Sequence, residues 1–391
     1  MIVTSRQRRL AMLPLLAAGA ILALGAAGAA RPAAKEGGAF IVTLGRDTLA
    51  MESYVRIDSV LTGTSVVHNA RGTLNRKYTL TLDRAGNLAR YEVLVYPAGV
   101  TTGAPLLHSY IVPAGNAMHE VIHNASGEHI LHIVTGPATL PFMDMGFGMW
   151  EAVVMRAVRS GKDEISVPML FIGDSTVYTT TVKRRGDSVF IQSEYGAARA
   201  KIDAQGHILG YDAPGSTEQV VVQRVASVDL AAFEKASMAK PALVLSPTDT
   251  VRANAGAAKL TVIYSRPSMR GRVIFGAVVP WNTVWRTGAN AATTFITDKD
   301  LTIGGTTVPA GEYTLFTLPN PGGWKLIISK KTKEWGTDYD ATQDLARIDM
   351  TVASLPAPVE QCTIAIVPQG AGTTLSVSWE RTSASVSIQA K

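Results

Sequence analysis

The chain has 391 residues, 47% of them apolar, and a formal charge of +6. That length supports two ordinary cores, and its cations are not interleaved with aromatics on a recognisable helix or sheet, which argues against a nucleic-acid partner. With Cys362 the single cysteine, no intrachain disulfide can form and stability must come from burial.

Arg6, Arg8 and Arg9 precede an uncharged run from Leu10 to Ala30 that ends in Ala27-Gly28-Ala29. Residues 1–30 therefore read as a secretory leader with a small-residue cleavage site. A retained anchor is the alternative, but Pro14 and the Ala/Gly-rich second half make a weak span. The expected product is exported, periplasmic or extracellular, without a stable membrane span after cleavage. Loss of the three arginines takes the formal charge from +6 to about +3.

From residue 39 to 226 the pattern is mostly period-two alternation broken by Gly/Asp/Asn turns, which predicts an antiparallel β-meander or half-barrel. The segments Asp83-Arg-Ala-Gly86-Asn-Leu88 and Asp203-Ala-Gln-Gly206-His-Ile208 share one internal spacing. Tight hairpins with common turn chemistry account for that echo. One helix interrupts the meander from about Phe147 to Ser160, with Met149, Trp150, Val153, Val154 and Ala157 on one stripe and Gly161 as its stop. A curved sheet closed by a helix resembles the half-barrel of periplasmic lipoprotein-carrier proteins in architecture alone.

Within this region His119-Glu120-Val-Ile-His123 fits the zinc-protease pattern, and His129 stands where a third ligand would fall. On a helix, His119 and His123 would share a face and Glu120 would activate the zinc-bound water. Ser126, in place of the expected glycine, and strand-like flanks favour a hairpin over 118–134 instead. A strand would put Glu120 on the side opposite the two histidines.

Residues 227–247, rich in Ala, Lys, Pro and Ser, read as a linker with a short possible helix at Leu230–Met238. Over 248–390, short strands are expected at Lys259–Tyr264, Arg272–Val279, Thr293–Thr297, Glu312–Leu318, Trp324–Ser329, Arg347–Val352, Cys362–Val367, Thr374–Trp379 and Val386–Gln389. Their number and spacing predict a β-sandwich, so the fold class is mainly β throughout. Cys362, on an apolar strand, is expected to be a buried, inert thiol.

Between Asp249 and Asp298 there is no acid, yet Arg252, Lys259, Arg266, Arg270, Arg272 and Arg286 lie there beside Trp281 and Trp285. The runs Ser265-Arg-Pro-Ser, Val284-Trp-Arg-Thr-Gly-Ala-Asn290, Pro309-Ala-Gly-Glu-Tyr-Thr-Leu and Trp335-Gly-Thr resemble the bacterial domain of unknown function 2911 over about residues 246–388. The resemblance implies an exported, β-rich domain and supplies no catalytic residue. Arg266, Arg272, Trp285, Arg286 and Asn290 are the candidate ligand-binding set, suited to an anionic or sugar-containing group. Alternatively, Arg266, Arg272 and Arg286 pair with Glu334, Asp338, Asp340, Asp344 and Asp349 and lock a loop onto the sandwich. Asp338–Asp344 has the acid spacing of a calcium loop but lacks its glycine and terminal glutamate.

The leading expectation is a noncatalytic binding or structural module for an amphiphilic lipid, an anion or a glycan, without a cofactor. The competing one is a zinc hydrolase built on His119, His123, His129 and Glu120.

Overall fold

A computed structural model describes residues 35–193, 196–216, 219–369 and 372–391; the expected leader lies outside the described residues. Among these residues the period-two pattern forms a fifteen-stranded sheet. One meander comprises Lys35–Leu44 (β1), Asp47–Ile57 (β2), Val60–Asn69 (β3), Gly72–Leu82 (β4), Leu88–Pro97 (β5), Leu107–Ala114 (β6), Ala117–Asn124 (β7) and Gly127–Ile133 (β8). After Leu140–Phe142 (β9) and the helix Phe147–Ser160 (α1), a second comprises Glu164–Phe171 (β10), Val177–Arg185 (β11), Ser188–Ser193 (β12), Gly196–Ile202 (β13), Ile208–Ser216 (β14) and Val221–Val225 (β15). β15 pairs antiparallel with β1, fusing the two arms into one sheet that ends at β8 and β9.

The sheet coils around α1, which is buried on nearly every face from Phe147 to Ala157. Its interior is filled by the helix and the apolar core. Glu52 of β2 accepts the Phe147 amide at 2.6 Å and the Gly148 amide at 3.2 Å, because Gly146 offers no capping side chain. Glu151, buried on the helix, accepts from Tyr54, from Arg224 at 2.6 Å and from the Ile208 amide at 2.9 Å. Glycine makes this polar lining possible. Gly63 pairs with both Tyr54 and Tyr78, and a Cβ there would enter the Tyr78 ring. The Tyr78 hydroxyl then reaches Glu52.

The two echoed hairpins have the same turn: Asp83 and Asp203 accept the amides of Asn87 and His207 at 2.8 Å through their carboxylates. Both tips grip the C-terminal half of α1, Gly86 through Arg156 and Gly206 by packing on Met155 and Val158. Burial alone would lower the His207 pKa, but hydrogen bonds to Asp203 and Glu36 outweigh it and raise it.

Leu230–Met238 is helical (α2), as its composition suggested. The surrounding segment is docked: Asn75 donates to Glu234, His68 meets the Pro241 carbonyl at 3.1 Å, and the Leu243 amide donates to Asn69 at 2.9 Å.

Beyond it lie Thr248–Ala255 (β16), Ala258–Ser265 (β17), Thr293–Thr297 (β18), Leu301–Ile303 (β19), Thr306–Val308 (β20), Gly311–Leu318 (β21), Trp324–Ser329 (β22), Asp344–Gln369 (β23) and Gly372–Ala390 (β24). They run in the order β16-β17-β18-β21-β22-β23-β24-β19-β20 and enclose one core as a sandwich. β23 pairs with β22 through Met350 and with β24 from Thr351 onward, and register breaks between Ser354 and Thr363 interrupt the β23–β24 ladder. The four short strands expected at Arg347–Val352, Cys362–Val367, Thr374–Trp379 and Val386–Gln389 are thus the halves of two long ones. Arg272–Val279 is not a strand. Gly271 and Gly276, at φ +76° and +91°, turn the chain so that Ile274 and Val279 plug the core.

The two sheets belong to one compact unit. The β1–β2 tip docks on the acid-free loop: the Arg46 amide donates to Arg270 O at 2.9 Å, and the Arg270 side chain pairs with Asp47. Gly45 is required at this contact, since a Cβ would strike the Arg270 carbonyl.

Candidate functional site

The histidine motif lies on β7, where side chains alternate between faces. Glu120 points inward and is fully buried. It accepts from Ser109 Oγ at 2.6 Å and from the Gly173 amide at 3.0 Å, linking β7 to the turn after β10 across the gap between the two arms. Burial raises its pKa against those hydrogen bonds. His119 and His123 face outward. His119 Nε2 is 2.8 Å from His132 Nδ1, and His123 stacks on His108 and lies 3.5 Å from Glu128. His129 pairs with inward-facing Ile122 in the ladder and meets Ser126 at 2.9 Å. The arrangement required of a zinc hydrolase is therefore absent, because Glu120 and His129 sit on the face opposite His119 and His123. Among the described residues no group of three or more His, Cys, Asp or Glu is placed to hold a metal ion.

The arginines of the acid-free stretch do not converge. Arg266 pairs with Asp249 at 3.0 Å and donates to Cys362 O and Thr363 Oγ1, tying β17 to β23. Arg272 curls back onto the Met269 and Ser268 carbonyls at 3.1 and 2.9 Å. Trp285 is half-buried and packs against the core, stacked on Trp379 and edge-on to Trp324 and Phe275. The Cys362 thiol is buried and pushed up to about 12 by desolvation.

The expected pairing with the acids of 334–349 is overturned as well. Asp344 binds Arg347 and Tyr339, Asp349 binds Lys325, and Asp340 caps the turn at Thr342. Arg286 has no acid partner among the described residues; its Nε is buried without a hydrogen bond, and desolvation lowers its pKa. Both carboxylate oxygens of Glu334 are buried without partners too.

What Arg286 does touch is Gly336, where a Cβ would collide with its side chain and with the Asn290 carbonyl. The Gly336 amide donates to Asn290 O at 3.1 Å, and Ala291 bridges to Trp335. The runs Val284–Asn290 and Trp335–Thr337 are thus two sides of one packed joint. Asn290, at φ +59°, also lines a cavity of about 280 Å3 whose wall includes Leu49, Val67, Met145, Leu243 and Leu245, with His68 and Asp144 as polar neighbours. Burial raises the Asp144 pKa against the nearby Arg76.

Residues 246–388 match the family model DUF2911, a protein of unknown function. The packed joint and the Asn290 end of the cavity both lie in this DUF2911 region. No curated protein matches the chain. A crystal structure of a β-barrel-like protein of domain of unknown function DUF1849 from Brucella abortus is similar at 11% identity, over 50% of this chain and 97% of its own, with a TM-score of 0.35.

Only Arg286 and Asn290 of the five proposed ligand residues meet, through Gly336. The cavity wall outside the DUF2911 region was missed in the sequence. Its available signal was Leu243-Val-Leu245, an uninterrupted run of branched apolar residues just after Pro241 in the connecting segment.

Proposed function

We propose that the protein is an exported, noncatalytic envelope protein that binds a small amphiphile in the cavity beside Asn290. The apolar part lies along Leu49, Val67, Met145, Leu243 and Leu245, and an anionic or sugar-containing head faces Asn290 and the neighbouring Arg286. One observation carries this reading: Asn290 both lines the apolar cavity and joins Gly336, against which an arginine without an acid partner packs. Small-molecule sites have this make-up, apolar walls with a few placed polar groups, and a half-buried guanidinium whose Nε lacks a partner is stabilised by an incoming anion. The leader expected from the sequence of residues 1–30 supports export, and the engagement of Glu120 in closing the sheet supports a role without catalysis.

Thermal-shift and native mass-spectrometry screens against lipids and soluble cell-wall fragments test the reading. A ligand that stabilises the wild type, is lost in Leu245→Trp and weakens about tenfold in Arg286→Ala supports it. Absence of any ligand, or equal binding by folded Leu245→Trp, overturns it.

A further inference from the structure

We infer that the molecule carries a second binding site, remote in chemistry from the amphiphile cavity, in which Arg56, Arg84 and Arg159 receive a phosphate group. The three line a pocket of about 230 Å3 with Asp58, Ser59, Leu82, Asp83 and Gly86, where the β2–β3 and β4–β5 turns meet the C-terminal end of α1. Arg56 is its floor. The residue is only 4% exposed, yet Nε and Nη2 are buried without a hydrogen-bond partner. Leaving such donors unmet costs free energy in the empty protein, and a charged acceptor entering the pocket removes that cost.

The acids near Arg56 and the pocket are Glu151, Glu36, Asp83 and Asp58, and Glu36 meets His207 at 3.3 Å. Glu151 spends its oxygens on Tyr54, Arg224 and the Ile208 amide. Asp83 accepts the Asn87 amide at 2.8 Å and its side-chain nitrogen at 3.4 Å. Asp58 is exposed on the turn. Arg156 adds a further positive charge beside Gly86, donating to the Gly86 and Ala138 carbonyls. Among the described residues none of Arg56, Arg84, Arg156 and Arg159 forms an ion pair. A tetrahedral oxyanion suits them because it offers several oxygens at once to planar guanidinium forks arriving from three elements. Inorganic phosphate and a small phosphate ester offer the same oxyanion.

The test measures melting temperature and calorimetric binding with inorganic phosphate and with glycerol 3-phosphate, at constant ionic strength against chloride. A saturable response to either anion, weakened at least about tenfold in Arg84→Ala/Arg159→Ala, supports the site; which anion responds identifies the source. Both substitutions are on exposed residues, so that variant is expected to fold. Arg56→Met is expected to melt above the wild type without phosphate and to lose the response, whereas a structural arginine would give lower melting with the response kept. Arg286→Ala keeps the response, separating this site from the cavity. A response matched by chloride, or unchanged in the double variant, overturns the proposal.

Discussion

Glu52 accepts the Phe147 amide at 2.6 Å, so a carboxylate from the second strand caps the helix that fills the first sheet. Burial dominates its titration and raises its pKa to about 7, against the lowering effect of Tyr78 and the two helix amides. An acid with a raised folded-state pKa binds more protons folded than unfolded, so its contribution to stability is complete below the unfolded value and is lost as pH rises towards 7. The wild type is expected to lose about 3 kcal/mol through this group between pH 4.5 and 8. Denaturant unfolding of wild type and Glu52→Gln at both pH values checks it: the difference between the two proteins must itself change with pH.

Gly63→Ala places a methyl group in the Tyr78 ring without any backbone penalty at a positive φ. A loss of about 1–3 kcal/mol is expected from the forced repacking. Tyr78→Leu in the Gly63→Ala background should recover part of it, and strictly additive losses would show that the ring is not the obstacle.

Glu120 holds Ser109 and Gly173 from opposite arms of the sheet. Glu120→Ala is expected to cost about 2 kcal/mol by stranding both donors, while zinc content in protein purified without a histidine tag stays below stoichiometric. Stoichiometric zinc that disappears in His119→Ala/His123→Ala, with stability unaffected in Glu120→Ala, would restore the hydrolase reading.

Asp47 pairs with Arg270 where the two sheets meet. Asp47→Ala leaves that arginine, only 9% exposed in its side chain, without its carboxylate. About 2 kcal/mol of lost stability is expected, and faster limited proteolysis of the connecting segment 227–247 would locate the loosened contact.

The local patterns were legible in the sequence: alternation predicted the strands, the apolar stripe with Gly161 predicted α1, and the composition around Leu230–Met238 predicted α2. The paired hairpins also followed from their Asp and Gly spacing, because turn chemistry is set within a few residues. Long-range partners were not legible. Arg270 meets Asp47 and Arg266 meets Asp249, while Asp344 pairs with Arg347 and Asp349 with Lys325, since pairing depends on which turns the sheets bring together.

By itself, then, the sequence determined the mainly β class and most of the elements, which rest on periodicity and short-range spacing, and the extent of the DUF2911 match, which rests on the resemblance of its motif runs. Only the tertiary structure decided that Glu120 bridges to Gly173 of the other arm, that Trp285 packs on the core while Arg286 lacks a carboxylate, and that Arg56 is buried with donors unmet. Those are consequences of long-range packing and burial, which no spacing along the chain encodes.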